Sequence, residues 1–398
     1  MEGDSELVPE ILPVDSRLVA VGSASAFLDI ISRALRVVPD KEVVSGTSYV
    51  KLDAREARSG TADFVRATAT DGTLIVSAVE GDVSVRHQGS ILIPGQKICS
   101  ILKTVPEDRI LFQVSGTEAI IRSGRSQWKV QLPPGDSLPA APDVSKLEAV
   151  PVPRVEFLAS LKAAEASASK TAARSSLMQV KVEQGHITGT DGNRIHRSYY
   201  DQDSPLDFSI PLATCQEVMR LLVASEDSHL LVGTDGKTMV FSIDKDYVIS
   251  SHMLVDFPDI EPLLIRSSMN IKHTLSVDSE ALRKAAERVR VNSDPEFSSV
   301  FLMVTKDNEG TWGAALRSKD RQGNSAHEFF PANWDGPQEP REFCVNHKHL
   351  ISLLDSYPKT RVNFHVGDDT RSSKSPLVIE DDSIFVGLVQ QMRADYMD

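Results

Sequence analysis

The chain has 398 residues, a net charge of −13, 41% hydrophobic residues and 25% charged residues. A domain averages roughly 150 residues, so this length predicts two or three domains, each with its own core. The balance excludes a disordered chain, and the acidic total argues against a protein coated in basic patches.

No run of about 18 apolar residues exists to cross a membrane as a helix. Residues 1–6 are acidic and lack the basic and apolar regions of a secretory signal. Cys99, Cys215 and Cys344 form no CxxC pair, so neither a disulfide framework nor a zinc site is expected. The expected location is the cytoplasm.

In chain order, residues 1–16 read as an acidic tail. Leu18-Val-Ala-Val then reads as a strand leading to a helix from about Ser25 to Arg36. The strands after it end in Thr70-Asp-Gly-Thr, a hairpin-turn signal. Ile93-Pro-Gly-Gln-Lys begins a second unit of strand, one-faced helix, turn (Val105-Pro-Glu-Asp) and alternating strands from Arg109. A later strand of this group, carrying Trp128, reads as an edge strand. Pro133-Pro-Gly-Asp-Ser-Leu-Pro-Ala-Ala-Pro-Asp closes this first stretch as a linker.

The pattern then recurs. Arg154-Val-Glu-Phe leads to a helix from about Leu158 to Ser167, and the following strands reach Thr190-Asp-Gly-Asn. Ile210-Pro-Leu-Ala-Thr-Cys opens the next helix, followed by Ser225-Glu-Asp and His229-Leu-Leu-Val. Phe257-Pro-Asp-Ile-Glu-Pro reads as a second linker. His273-Thr-Leu-Ser-Val leads to a helix from about Ser279 to Arg290, with Asp307-Asn-Glu-Gly at the matching turn. Val345-Asn-His-Lys-His opens the last helix, and Tyr357-Pro-Lys precedes the strand from Arg361. The period is too long for a solenoid. It predicts three tandem domains, 17–142, 143–265 and 266–398, each made of two strand–helix–strands halves.

Enzymatic motifs are missing. There is no Walker A string for nucleotide hydrolysis and no Gly-x-Ser-x-Gly elbow. Asp368, Asp369, Asp381 and Asp382 read as turns and solvated faces rather than metal ligands. His347 and His349 stand two apart on a helix, so they do not share a face as a ligand pair would.

Several strings resemble the β sliding clamp family of bacterial DNA polymerase III: Ser123-Gly-Arg-Ser-Gln-Trp with Leu132-Pro, Thr190-Asp-Gly-Asn-Arg-Ile, Asp256-Phe-Pro-Asp-Ile, Ser375-Pro-Leu-Val-Ile and Val389-Gln-Gln-Met-Arg. Each alone is weak; they fall in family order over about residues 17 to 394. The resemblance implies an α+β DNA-clamp fold, with helices lining a ring pore and antiparallel sheets outside. It implies a head-to-tail homodimer that encircles double-stranded DNA without reading sequence and tethers DNA polymerase for processivity. No chemistry, cofactor or metal is implied, and a separate clamp loader is.

The charge distribution agrees with this. The predicted helices and adjoining loops are net basic inside an acidic chain, through Arg33, Arg36, Lys97, Lys170, Arg174, Arg220, Lys284 and Lys348, which are expected to face DNA. Surface helices also carry basic residues at their C-terminal ends for reasons of their dipole alone. Sliding requires loose, sequence-blind phosphate contacts.

The resemblance also implies a pocket for short partner peptides of polymerase and loader subunits. Its walls would be Leu177, Thr190, Gly192, Asn193 and Ile195, then Pro258, Pro262 and Leu263, then Pro376, Leu388, Gln390, Gln391, Met392 and Arg393. Asn193, Pro262, Gln390 and Gln391 depart from the family pattern, and Ala394-Asp-Tyr-Met-Asp extends past its usual end. An altered peptide preference is expected. At the ring seam, Trp128 would face Val289 and Val291. Two other readings fit the same residues: a specialised clamp copy, as in phage, plasmid or antibiotic self-protection, and a clamp-fold scaffold that binds proteins without encircling DNA.

Overall fold

Polar caps start three of the helices where the sequence pattern puts them. The computed structural model describes residues 16–39, 46–57, 62–135, 138, 147–253, 255–368, 375–381 and 384–392, apart from the side chain of Ala172. Its α-helices are α1 (Ala24–Leu35), α2 (Gly95–Leu102), α3 (Arg154–Ser167), α4 (Leu212–Ala224), α5 (Glu261–Met269), α6 (Ser279–Val289) and α7 (His347–Ser356). The Ser23 hydroxyl accepts the Ala26 amide at 3.0 Å and opens α1. Asp278 accepts the Ala281 amide at 2.7 Å for α6, and Asn346 accepts the Lys348 amide at 2.8 Å for α7. Each satisfies a donor that the first helical turn leaves unpaired.

Two expectations need correction. The helix expected from about Leu158 begins at Arg154, directly after the strand Ala149–Pro153. The Arg154-Val-Glu-Phe stretch is its first turn, and Val155 is outward and 59% exposed, so it gave a strand-like signal without being one. The linker at 257–262 runs straight into α5. Pro262 lies in the first turn, where a missing N–H costs nothing, so the proline starts a helix rather than ending one.

The fold is α+β. Among the described residues the strands form four sheets, of five, eight, nine and four strands, with antiparallel pairing. The chain divides into two compact units, one of Met1–Pro151 with Ala224–Ser251 and one of Val152–Val223 with His252–Asp398. In the first unit, Phe27 of α1 stacks on Phe112 at 5.8 Å. The strand Leu74–Glu80 pairs with Asp246–Ser251, with Val76 opposite Val248. In the second unit, α6 buries Leu282, Ala285, Ala286 and Val289 in a core with Phe343, Phe364 and Phe385. There the strand Arg194–Tyr199 pairs with Phe385–Val389. The division into units therefore cuts through 143–265: one half of that segment extends a sheet of the preceding stretch, the other a sheet of the following one. Each pairing satisfies strand edges that would otherwise be open.

The acidic tail lies outside the described residues apart from Ser16, which opens the first strand. No helix among the described residues is long and apolar enough to cross a membrane.

Candidate functional site

Three Thr-Asp-Gly turns share one chemistry. At Thr70, Thr190 and Thr234 the hydroxyl accepts the glycine amide two residues on, at 3.0, 3.1 and 3.2 Å. The aspartate Oδ1 accepts the next two amides: those of Thr73 and Leu74 at 2.7 and 2.8 Å, of Asn193 and Arg194 at 2.9 and 3.2 Å, and of Lys237 and Thr238 at 2.9 and 2.7 Å. Gly192 has φ +89°, a left-handed value that favours glycine. The turn by itself is thus a repeat feature. The one at Thr190 differs in its surroundings.

Asp191 Oδ2 accepts from Arg194 Nε at 2.9 Å and lies 3.7 Å from His349 Nε2 of α7. Burial and the Arg194 cation depress the His349 pKa, against the pull of Asp191. The Arg174 guanidinium donates to the Asp191 carbonyl. A Cβ placed on Gly192 would meet Arg174 Nη1 at 3.1 Å and Leu177 Cδ1 at 3.8 Å. Leu177, which ends a 3-10 turn, therefore flanks the glycine and is half-buried. Gly192 and Asn193 are exposed and Thr190 is buried.

A second group forms where strands meet. Ile195 stands opposite Leu388. Both join Ile260 and Leu264 in a small apolar cluster, with Phe257 and Val386 packed against it. Arg197, buried on the same strand as Ile195, pairs with Glu261 at the start of α5 and donates through Nε to Thr188 Oγ1 at 3.0 Å. The hydrogen bond from Arg197 lowers the Glu261 pKa. This pair fixes α5 over the strand. It leaves Pro262 exposed, Pro258 half-buried, and Leu263, Ile265 and Met269 at 42%, 59% and 78% exposure.

The third group is the end of the chain. The Gln390 amide donates to the Asn193 carbonyl at 2.8 Å, and the Met392 amide to the Cys344 carbonyl at 2.8 Å. Gln391 is buried and donates through Nε2 to the Ser375 carbonyl, beside buried Pro376. Its side chain is thus turned inward, while Gln390 and Met392 are half-buried. Arg393 and residues 394–398 lie outside the described residues. Sequence reasoning missed Asp191, Ile260, Leu264 and Phe257. Asp191 was read as a turn residue, and Pro262 hid the helix carrying Leu264.

The expected DNA-facing cations differ in how free they are. Arg33 is half-buried and paired with Asp246 and, at 2.8 Å, with Asp29. Arg220 pairs with buried Glu217 at 2.7 Å, Lys170 with Glu165 at 3.4 Å and Lys284 with Glu280 at 3.2 Å. Arg174 holds the Asp191 turn. Arg36, Lys97 and Lys348 are exposed. Trp128 is half-buried on Ser126–Gln131, the outer strand of the five-stranded sheet, opposite Ile121. Val289 is only 2% exposed within its own core, whereas Val291 is 80% exposed. Val291 therefore presents apolar surface and Val289 does not. No cluster of His, Cys, Asp or Glu among the described residues has the arrangement of a metal site.

Comparison with known proteins gives three findings. Residues 23–142 match the family described as DNA polymerase III beta subunit, N-terminal domain. The β sliding clamp of Escherichia coli strain K12 is 23% identical over 315 residues, spanning 77% of this chain and 82% of the relative. Among solved structures, the fold matches the Caulobacter crescentus β sliding clamp, crystallised with PEG at a putative β-motif tethering region, with TM-score 0.82 at 19% identity over 95% of this chain and 99% of that one. It also matches the griselimycin-bound Pseudomonas aeruginosa clamp with TM-score 0.80 at 18% identity, over 95% and 100%.

Proposed function

We infer that the chain belongs to the β sliding clamps of bacterial DNA polymerase III and acts as a DNA sliding clamp, a processivity factor rather than an enzyme. The observation that carries this is the sequence likeness to named clamps over some three-quarters of the chain, matched by the clamp fold over nearly all of it.

On this reading the chain forms three domains, 17–142, 143–265 and 266–398. Two copies close head to tail into a ring in the cytoplasm. α1, α2, α3, α4, α6 and α7 face duplex DNA, with Arg33, Arg36, Lys97, Lys170, Arg174, Arg220, Lys284 and Lys348 as the basic surface. Exposed Lys97 and Lys348 support this most directly, because a cation already paired to a carboxylate has less to offer a phosphate. The seam joins the outer strand bearing Trp128 to the surface around Val291 of the second copy; an aromatic on an unpaired strand edge suits such an anchor.

Polymerase and loader peptides dock beside the Thr190–Ile195 turn and strand, α5 and the 388–393 segment. Exposed Leu263 beside a buried apolar cluster supports this, as a groove with an apolar floor and few convergent polar groups is a usual peptide site. The inward turn of Gln391 and the absence of an N–H at Pro262 support an altered peptide preference.

Retention on nicked circular DNA tests the function. A working ring stays on the circle and is released when the DNA is cut to a linear form. A scaffold that does not encircle DNA shows no difference between the two, and that result would reject the clamp reading. Stimulation of synthesis with the host's own loader then separates the housekeeping clamp from a specialised copy.

A further inference from the structure

In the second unit, α7 packs beside α3 and leaves a groove of about 600 Å³. Its wall on the α3 side is a row of small side chains, Ala159, Ala163 and Ala166, spaced three and four apart on one helix face. Ile351 of α7 faces into the same space, and Tyr357 and Pro358 close one end. A slot of this kind accepts a flat ring.

The groove carries three cations among its polar side chains, beside Ser352 and Ser356. Lys162, Lys348 and Arg290 border it and are exposed. Among the described residues, none of the three has a carboxylate partner. The acid at the groove, Asp355, is already engaged by Arg283 at 2.6 Å. These cations therefore contrast with Arg33, Lys170, Arg220 and Lys284, each of which is paired.

His347 also lines the groove. It is only 6% exposed, and its Nδ1 has no hydrogen-bond partner. Burial first, then the Lys348 and Arg290 charges, push its pKa down to about 4, so the ring is neutral at pH 7. The unpartnered Nδ1 of a neutral imidazole can donate or accept one hydrogen bond, according to the tautomer.

We propose that the groove between α3 and α7 is a nucleotide seat: a planar base lies along the alanine wall and its phosphate is held by Lys162, Lys348 and Arg290. The volume is in the range of small-ligand pockets. The ligand must join a compact anion to a flat ring, because the charged rim and the apolar slot are contiguous. An acidic peptide spreads its charges along the chain and does not use the slot. A nucleotide of a DNA strand and a free nucleoside phosphate share this chemistry.

Calorimetric titration of the full chain with dATP, inorganic pyrophosphate, a short oligothymidylate and oligoglutamate tests the seat. These short probes need no ring, so the outcome stands apart from the retention assay. Submillimolar binding of dATP or oligothymidylate is expected, with pyrophosphate about tenfold weaker or more. The tighter of the two nucleotide probes identifies the source. Lys162→Glu combined with Lys348→Glu should weaken binding about tenfold or more. Ala159→Trp, which fills the slot and leaves the cations in place, should abolish it, with circular dichroism confirming the fold of both variants. Failure of both nucleotide probes to bind at millimolar concentration overturns the seat. So does binding that survives Ala159→Trp, or oligoglutamate binding as tightly as dATP.

Discussion

Asp191 Oδ2 lies 3.7 Å from His349 Nε2, which joins a hairpin turn to a helix more than a hundred residues further along the chain. The same carboxylate holds two turn amides and Arg194. Asp235 holds two turn amides in the same way at the Thr234 turn. The pair gives a controlled comparison. Asp191→Ala and Asp235→Ala should each cost about 1–3 kcal/mol in urea unfolding, because each leaves turn amides unpaired. Only Asp191→Ala should also weaken binding of a docking peptide from the host polymerase. Equal loss of peptide affinity in both variants would mean that the Thr190 turn has no special place in recognition.

Leu177 tests the apolar side of the same site. It is half-buried against the exposed Gly192 turn, so a carboxylate there reaches water without unfolding the chain. Leu177→Glu should lower peptide affinity by about tenfold or more while the melting temperature changes little. Unchanged affinity by calorimetry would remove Leu177 from the site.

The seam makes a three-way prediction. Trp128→Glu and Val291→Glu replace surface that is half-buried or exposed in a single copy. Each should yield folded monomers by light scattering. Val289→Glu places a charge in the core beside Leu282 and Ala286, and should unfold the second unit rather than dissociate a folded dimer. A dimer that survives Trp128→Glu would put the seam elsewhere.

The half-repeat was legible because amphipathic helices and Asp-Gly turns are local signals. Ser23, Asp278 and Asn346 cap their helices directly before the apolar pattern begins. The candidate site residues come from local strings, but their grouping in space does not. Ile195 and Leu388 meet only through strand pairing across nearly two hundred residues, and no local pattern encodes that register. The free cations were the least legible. Lys348 and Arg33 look alike in sequence, and only the fold brings Asp246 to Arg33 while leaving Lys348 without an acid among the described residues.

Acid stability tests the packing behind the site. His196 is fully buried on the strand carrying Ile195, with Nδ1 3.0 Å from the Ala163 carbonyl. Burial is the main cause that brings its pKa from 6.5 down to about 3. The folded chain therefore keeps this ring neutral where the unfolded chain protonates it. Its contribution is complete above pH 6.5 and is lost as pH falls toward 3, with a slope of at most about 1.4 kcal/mol per pH unit. His186 and His347, each lowered to about 4, act in the same direction. Unfolding free energy should then drop between pH 7 and pH 5, before the pairing of Glu261 with Arg197 is lost at lower pH. His196→Phe should lower stability at pH 7, through the lost bond to Ala163, and flatten that drop without abolishing it. An equally steep profile in the variant would show that His196 is not among the groups that set it.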